Sequence, residues 1–351
     1  MTPQTRLGAA THDGMQTPEA AQRPRAGAPR PIASDRARAW ARYAAGMAVV
    51  ALVAWMLSGD EYWLGLVTSG LLFAGLASAW NIIGGFGGQF SLGHGVFFAL
   101  GAYAVVLLQT QRGWSPWLAL ALGVALAVVV ALVLAWPLFR LRGPFFAIGT
   151  LALNEVALAL ANYFDWTGGP RGARIPFTES AITDRSTWMW VMFAYLALAV
   201  AVTTLLVRSR LGYYLVAVRD EEDAADAAGA NPLTVKTLGL LISAGLTGLG
   251  GGLFAMYIAY VDPHTVLAIA EIGARIPLLV LIGGIGTIAG PVVGALIVQP
   301  GEMYLRGELA SLPPGTSLVV LGALFVLAAR FFPRGIWGGV NRLTRRFRQR
   351  G

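Results

Sequence analysis

The sequence predicts an all-α, polytopic membrane protein of about 8–10 transmembrane helices, some of them broken or re-entrant at glycine-rich segments. Three observations lead there. Of 351 residues, 56% are hydrophobic and 13% charged, with mean hydropathy +0.63, against about 25% charge in an ordinary soluble domain. Apolar runs close to the ~20 residues needed to cross a bilayer recur along the chain. The 44 glycines and 18 prolines suit membrane helices, which tolerate both better than soluble ones do.

Charge then orders the spans. The net charge of +8 is concentrated at the ends, with Arg6, Arg23, Arg25, Arg30, Arg36, Arg38 and Arg42 near the N-terminus and Arg330, Arg334, Arg342, Arg345, Arg346, Arg348 and Arg350 near the C-terminus. Beside apolar spans such clusters mark the cytoplasmic side rather than nucleic-acid binding, so both termini are expected in the cytoplasm. The absence of cysteine excludes disulfides and thiolate chemistry, and His12, His94 and His264 match no metal-ligand spacing.

Residues 1–42 read as a disordered basic arm without the pattern of a signal peptide, residues 43–330 as the transmembrane domain, and residues 331–351 as a basic tail. Successive spans are expected over Ala44–Leu57, Tyr62–Trp80, a third ending near Leu108, Pro116–Trp136, Phe145–Leu160, Trp188–Val207 and Thr237–Tyr260. Between the second and third, Gly84, Gly85, Gly87 and Gly88 are expected to break the helix, with Ser91 capping the one that follows. Residues 161–187 form a folded external loop. Parity of the spans favours dividing the next region into Val266–Leu281 and Ile288–Gln299, broken at Gly283, Gly284 and Gly286, ahead of a last span at Ser317–Ala329. That division places Glu271 and Arg275 one helical turn apart in or near the membrane, where they pair. It also gives a weak internal repeat: Gly84–Ala102 and Gly283–Ile297 share a double-glycine break followed by a small-residue, apolar helix. Transporters are often built from such repeats, with broken helices meeting at the solute route.

The one long polar island within the body of the chain is Val216–Lys236, the core of a cytoplasmic loop over 208–236. Asp220, Glu221, Glu222, Asp223 and Asp226 there supply five of the 18 acidic residues. Its composition predicts a surface helix from Asp220 to Ala228, ended by Gly229, Asn231 and Pro232. Acids, Arg219 and exposed alanines together offer a docking face for a soluble partner.

No residue set suggests covalent catalysis: Ser91 and His94 share a helical turn, but no acid completes a triad. The glycines at 84–88 lack the lysine and Ser/Thr of a phosphate loop, so ATP binding is not expected in this chain. Polar residues buried in the membrane take priority as path or gate candidates: Asn81, Gln89, Ser91, His94, Asn154, Glu155 and Glu271.

From about Leu71 to Gly338 the chain resembles the inner-membrane permease subunits of bacterial branched-chain amino-acid ABC importers, and of their two types the LivM type. The segments that carry the resemblance are Ser91-Leu92-Gly93-His94 with Phe97, Phe98, Gly101, Ala102 and Tyr103; Leu141-Arg142-Gly143; Thr167-Gly168-Gly169-Pro170; Gly283, Gly284, Gly286, Gly290 and Pro291; and Phe332-Pro333-Arg334-Gly335. Arg219, Asp220, Glu222, Ala224, Ala225, Ala228 and Gly229 fall on the family's coupling-loop motif, with Asp220 replacing the usual glutamate and Ala230 the usual isoleucine. The resemblance implies a non-enzymatic permease subunit in a bacterial inner membrane, taking leucine, isoleucine or valine from a periplasmic binding protein. Its implied partners are a second, LivH-like permease and two ATPase subunits, LivG-like and LivF-like, which hold the ATP and Mg and engage Arg219, Asp220, Glu222, Ala225, Ala228 and Gly229. The same architecture serving amides, urea or aromatic acids is the alternative, and an ion-coupled secondary transporter using Glu155 and Glu271 is the more distant one.

Overall fold

The computed structural model describes residues 32–176 and 182–309, with scattered positions between 316 and 339. Contacts divide the chain after Gly46, and the unit Met47–Gly351 carries the architecture that follows. Twelve α-helices succeed one another among the described residues. Helix α1, Ile32–Leu57, crosses the division and begins inside the stretch expected to lack structure. The expected last span, Ser317–Ala329, and the tail from 331 lie mostly outside the described residues.

Among the described residues, six helices are long and apolar enough to cross a membrane. They are α2, Glu61–Asn81, prolonged by a π turn over Ile82–Phe86; α3, His94–Arg112; α4, Pro116–Leu138; α5, Pro144–Tyr163; α6, Arg185–Val207; and α9, Pro232–Ile258. The expected second to sixth spans fall within these helices; the first, Ala44–Leu57, lies in α1, whose apolar part is shorter than the six, and the seventh overruns α9, which ends at Ile258 because Ala259 turns left-handed (φ 56°). The seventh span starts at Pro232 rather than Thr237 because the Asn231 side chain accepts the Thr234 amide at 3.0 Å and proline occupies the first helical position, where its missing N–H costs nothing. Two short helices, α7 (Arg210–Asp220) and α8 (Glu222–Ala227), lie between α6 and α9.

Past α9 the expected division is present. Helix α10, Pro263–Leu267, a π turn at Ile269–Gly273 and α11, Arg275–Gly283, descend to a break, and α12, Ala289–Glu308, returns. The connection between α5 and α6 is anchored by a two-residue antiparallel pairing of β1, Ala173–Arg174, with β2, Tyr260–Val261, in the register Ala173↔Val261.

Helix α9 is the hub, packed against α3 and α4, while α2 packs against α6 and α12. Lipid tails are as apolar as leucine, so such helices associate by close packing rather than by expelling water. Glycine makes that possible where α3 crosses α9: a Cβ on Gly101 would overlap the Gly248 carbonyl, and one on Gly251 the Phe98 carbonyl. Trp80, Phe98, Phe146 and Met192 fill the interior. Leu118, Val133, Trp136, Phe145, Ile148 and Val156 are exposed along α4 and α5, an apolar face of the kind that lipid or a second membrane chain covers.

Three local expectations are corrected. Gly84 and Gly85 do not break the helix; they lie in the π turn, where Trp80 covers Gly84 and the Asn81 side chain covers Gly85. The break falls at residues 87–93. Ser91 does not cap α3, whose cap residue is Gly93 with no side-chain bond. The single helix expected over Asp220–Ala228 is two helices, because Glu221 is extended (φ −156°, ψ 103°).

Candidate coupling and translocation site

The end of α2 and the second glycine break, about 200 residues apart in sequence, meet in space. Asn81, fully buried at the end of α2, donates from Nδ2 to the Thr287 carbonyl at 2.8 Å and accepts the Gly286 amide on Oδ1 at 2.9 Å. Non-helical backbone at membrane depth must have its polar groups satisfied by protein, and Asn81 does this for the second break. Gly286 has φ +69°, a conformation open to glycine but costly to residues with a Cβ.

Helix α7 ends on the same spot. Arg219 donates from Nη1 to the Gly85 carbonyl at 3.3 Å, and its aliphatic stem lies on Gly88, whose φ is +69°. Its Nε and Nη2 hold Asp220 Oδ1 at 2.9 and 2.8 Å. One arginine therefore joins the surface segment to the helix break.

Around it, Val218, Ala225, Ala230 and Val235 enter a core with Leu206, Leu215 and Ile82. Lys236 reaches Glu222 Oε2 at 2.6 Å with only 5% of its side chain exposed. These anchors pull α8 out of line with α7 and leave Asp220, Glu221, Asp223, Asp226, Ala228 and Gly229 facing outward. Among the predicted coupling residues, then, Asp220, Ala228 and Gly229 are surface groups, Ala225 is core, and Arg219 and Glu222 are ties to the body.

The predicted path residues separate into different roles. His94 is fully buried, with Nε2 2.9 Å from Ser243 Oγ and Nδ1 3.0 Å from Ser91 Oγ. Because the Ser243 hydroxyl donates to the Ala79 carbonyl at 2.7 Å, it accepts from His94 Nε2–H, which leaves Nδ1 to accept from Ser91. This makes a clip joining α2, α3 and α9. Asn154 donates to the Leu267 carbonyl, and Thr150 Oγ1 accepts the Leu92 amide at 3.0 Å, so the inner face of α5 holds the break in place. Gln89 is half-buried, its Nε2 3.5 Å from the Gly87 carbonyl. Glu155 stands on the exposed side of α5, whereas its neighbour Asn154 is buried.

Glu271 does pair with Arg275, at 3.0 Å. The pair belongs to a longer chain, however, because Arg275 also binds the buried Glu302, and Glu302 binds Arg306 at 2.7 Å. Glu302 and Arg306 escape the sequence reading because the expected span Ile288–Gln299 stops short of them, although their four-residue spacing signals a helical pair. Among the described residues no group of three or more His, Cys, Asp or Glu is placed to hold a metal ion.

A family model described as "Branched-chain amino acid transport system / permease component" matches residues 62–329. The chain is 28% identical to the high-affinity branched-chain amino acid transport system permease protein LivM of Escherichia coli (strain K12) over 316 residues, covering 82% of this chain and 73% of that one. It is 29% identical to LivM of Salmonella typhimurium with the same coverage, and 25% identical to the permease protein LivH of Escherichia coli (strain K12) over 78% of this chain and 93% of that one. No solved structure matches.

Proposed function

From the premise that this chain belongs to the branched-chain amino acid transport system permease family, we propose that it forms one half of the membrane path of an ATP-driven importer for leucine, isoleucine and valine. The family match over residues 62–329 carries the reading. Relatives of both the LivM and LivH kinds support a second permease as its partner.

The solute arrives on a periplasmic binding protein, and two ATPase subunits on the cytoplasmic side hold the ATP and Mg. They seat on the outward face of α7 and α8, through Asp220, Ala228 and Gly229. Arg219 carries their movement to the backbone at Gly85, and Asn81 passes it to the second break at Gly286 and Thr287. Both termini lie in the cytoplasm of a bacterial cell, and the chain itself performs no chemistry.

Purification of the native complex, followed by uptake into proteoliposomes loaded with ATP, tests this. Recovery of two ATPases and a second permease, with ATP-dependent leucine uptake that requires the binding protein, is the expected result. An intact complex that moves only urea, an amide or an aromatic acid overturns the solute. Uptake driven by an ion gradient with no ATPase present overturns the class.

A further inference from the structure

At the end of the fold opposite Arg219, the N-terminal half of α2, α6, the end of α9, the π turn at Ile269–Gly273 and α12 enclose a cavity of about 350 Å³. One wall is apolar, formed by Leu72, Phe73, Met192 and Phe254; the other carries Glu271, Arg275 and Arg306. The four charges alternate along the chain Glu271, Arg275, Glu302, Arg306. Its inner members are 12% and 6% exposed and neutralise one another, with the Arg275 guanidinium also over the Phe73 ring at 5.3 Å. The end members, an acid and a base, are 44% and 43% exposed. A second observation marks the same place. Gln299 lines the cavity and donates to Ser69 Oγ at 3.1 Å, while its carbonyl oxygen is buried without a hydrogen-bond partner.

We propose that this cavity is a transient binding site for an aliphatic α-amino acid held as its zwitterion, an inference that rests on the importer reading above. The ammonium group meets Glu271, the carboxylate meets Arg306, and the side chain lies on the wall formed by Leu72, Phe73, Met192 and Phe254. Ionisable groups in a membrane protein are costly and tend to mark solute routes. Here the open ends of the charge chain are one of each sign, which matches a ligand of no net charge carrying both.

The test uses the complete importer in nanodiscs without its binding protein, and radiolabelled L-leucine as the probe. The wild-type complex binds leucine saturably, with competition from valine but from neither leucinamide nor 4-methylpentanoate, each of which lacks one of the two charges. Glu271→Gln weakens binding about tenfold, as loss of one charge-assisted contact does. Gly65→Leu abolishes it, because Gly65 lines the cavity and has open space where a side chain would go. Gly301→Leu, equally unobstructed but outside the cavity, binds as wild type. If Glu271→Gln fails to assemble, Gly65→Leu decides. Absence of saturable binding, or equal binding by wild type and Gly65→Leu, overturns the site. ATP-driven leucine uptake by the wild-type complex in proteoliposomes shows in that case that the importer reading stands; no branched-chain uptake by wild type overturns that reading and the site with it.

Discussion

Asn81 and Gly286, 205 residues apart in sequence, are joined by a 2.9 Å hydrogen bond from the Gly286 backbone amide to Asn81 Oδ1, and Asn81 Nδ2 returns a bond to the carbonyl of the next residue, Thr287. The pair fastens the end of α2 to the turn between α11 and α12. An isosteric Asn81→Leu removes both bonds and leaves the half-buried Gly286 amide and Thr287 carbonyl without their protein partner, each at a cost of about 1 kcal/mol, the low end for such groups because water can reach them in part. The variant is expected to lower the thermal midpoint of the purified complex by several degrees and to reduce uptake. A midpoint equal to wild type would show that water or a shifted backbone satisfies the second break without Asn81.

Arg219 is the link between the surface segment and that fastening. In the proposed importer Arg219→Ala is expected to bind the ATPases and allow hydrolysis, while the number of solutes moved per ATP falls several-fold. Lysine should not rescue it. A single ammonium cannot span the Gly85 carbonyl and Asp220 as the forked guanidinium does. Side-by-side measurement of uptake and hydrolysis in proteoliposomes checks this, and an unchanged ratio would remove Arg219 from the coupling route.

The outward face of α8 gives a cleaner probe of docking. Ala228 is exposed and is the cap residue of that helix, whereas Gly229 has φ +88° and open space around it. Gly229→Arg therefore mixes added bulk with backbone strain of about 1 kcal/mol. Ala228→Arg adds the same bulk and charge without that strain, since Ala228 has φ −83°. Both are expected to lower ATPase recovery on co-purification, and Gly229→Ala to leave it near wild type. Loss with Gly229→Ala but not with Ala228→Arg would assign the effect to backbone shape instead of surface contact.

How far these features were legible in the sequence depends on what each signal measures. The glycine pairs at 84–85 and 283–284 could be matched as strings, and the break at Gly284 is where the pattern placed it. Their meeting through Asn81 could not be read, since local periodicity carries no long-range pairing. Propensity favoured one helix across 220–228, but burial of Ala225 and the Lys236–Glu222 bond outweigh it and leave Glu221 extended. His94 and Asn154 are buried, as polar residues within apolar segments are expected to be, yet burial alone does not distinguish a clip from a solute contact. Glu302 was lost to a boundary: its burial comes from Arg275, 27 positions earlier on another element.

The Lys236–Glu222 pair makes the last prediction, and it is asymmetric. Lys236 is buried to 5% exposure and Glu222 is about one-third exposed, so the two partners lose unequal amounts of hydration. Glu222→Gln leaves a nearly buried ammonium without its counter-charge, which costs about 2–4 kcal/mol, somewhat less than for a fully buried pair. Lys236→Met replaces the ammonium with an apolar chain of similar length and frees a carboxylate that water can reach, so it is expected to cost less than about 1 kcal/mol. Thermal unfolding of the two single variants and the double variant in one detergent checks the order. The double variant should resemble Lys236→Met, because once the ammonium is gone the charge at 222 has little left to satisfy. If Lys236→Met proves the more damaging change, the lysine has a second role at the start of α9 beyond holding Glu222.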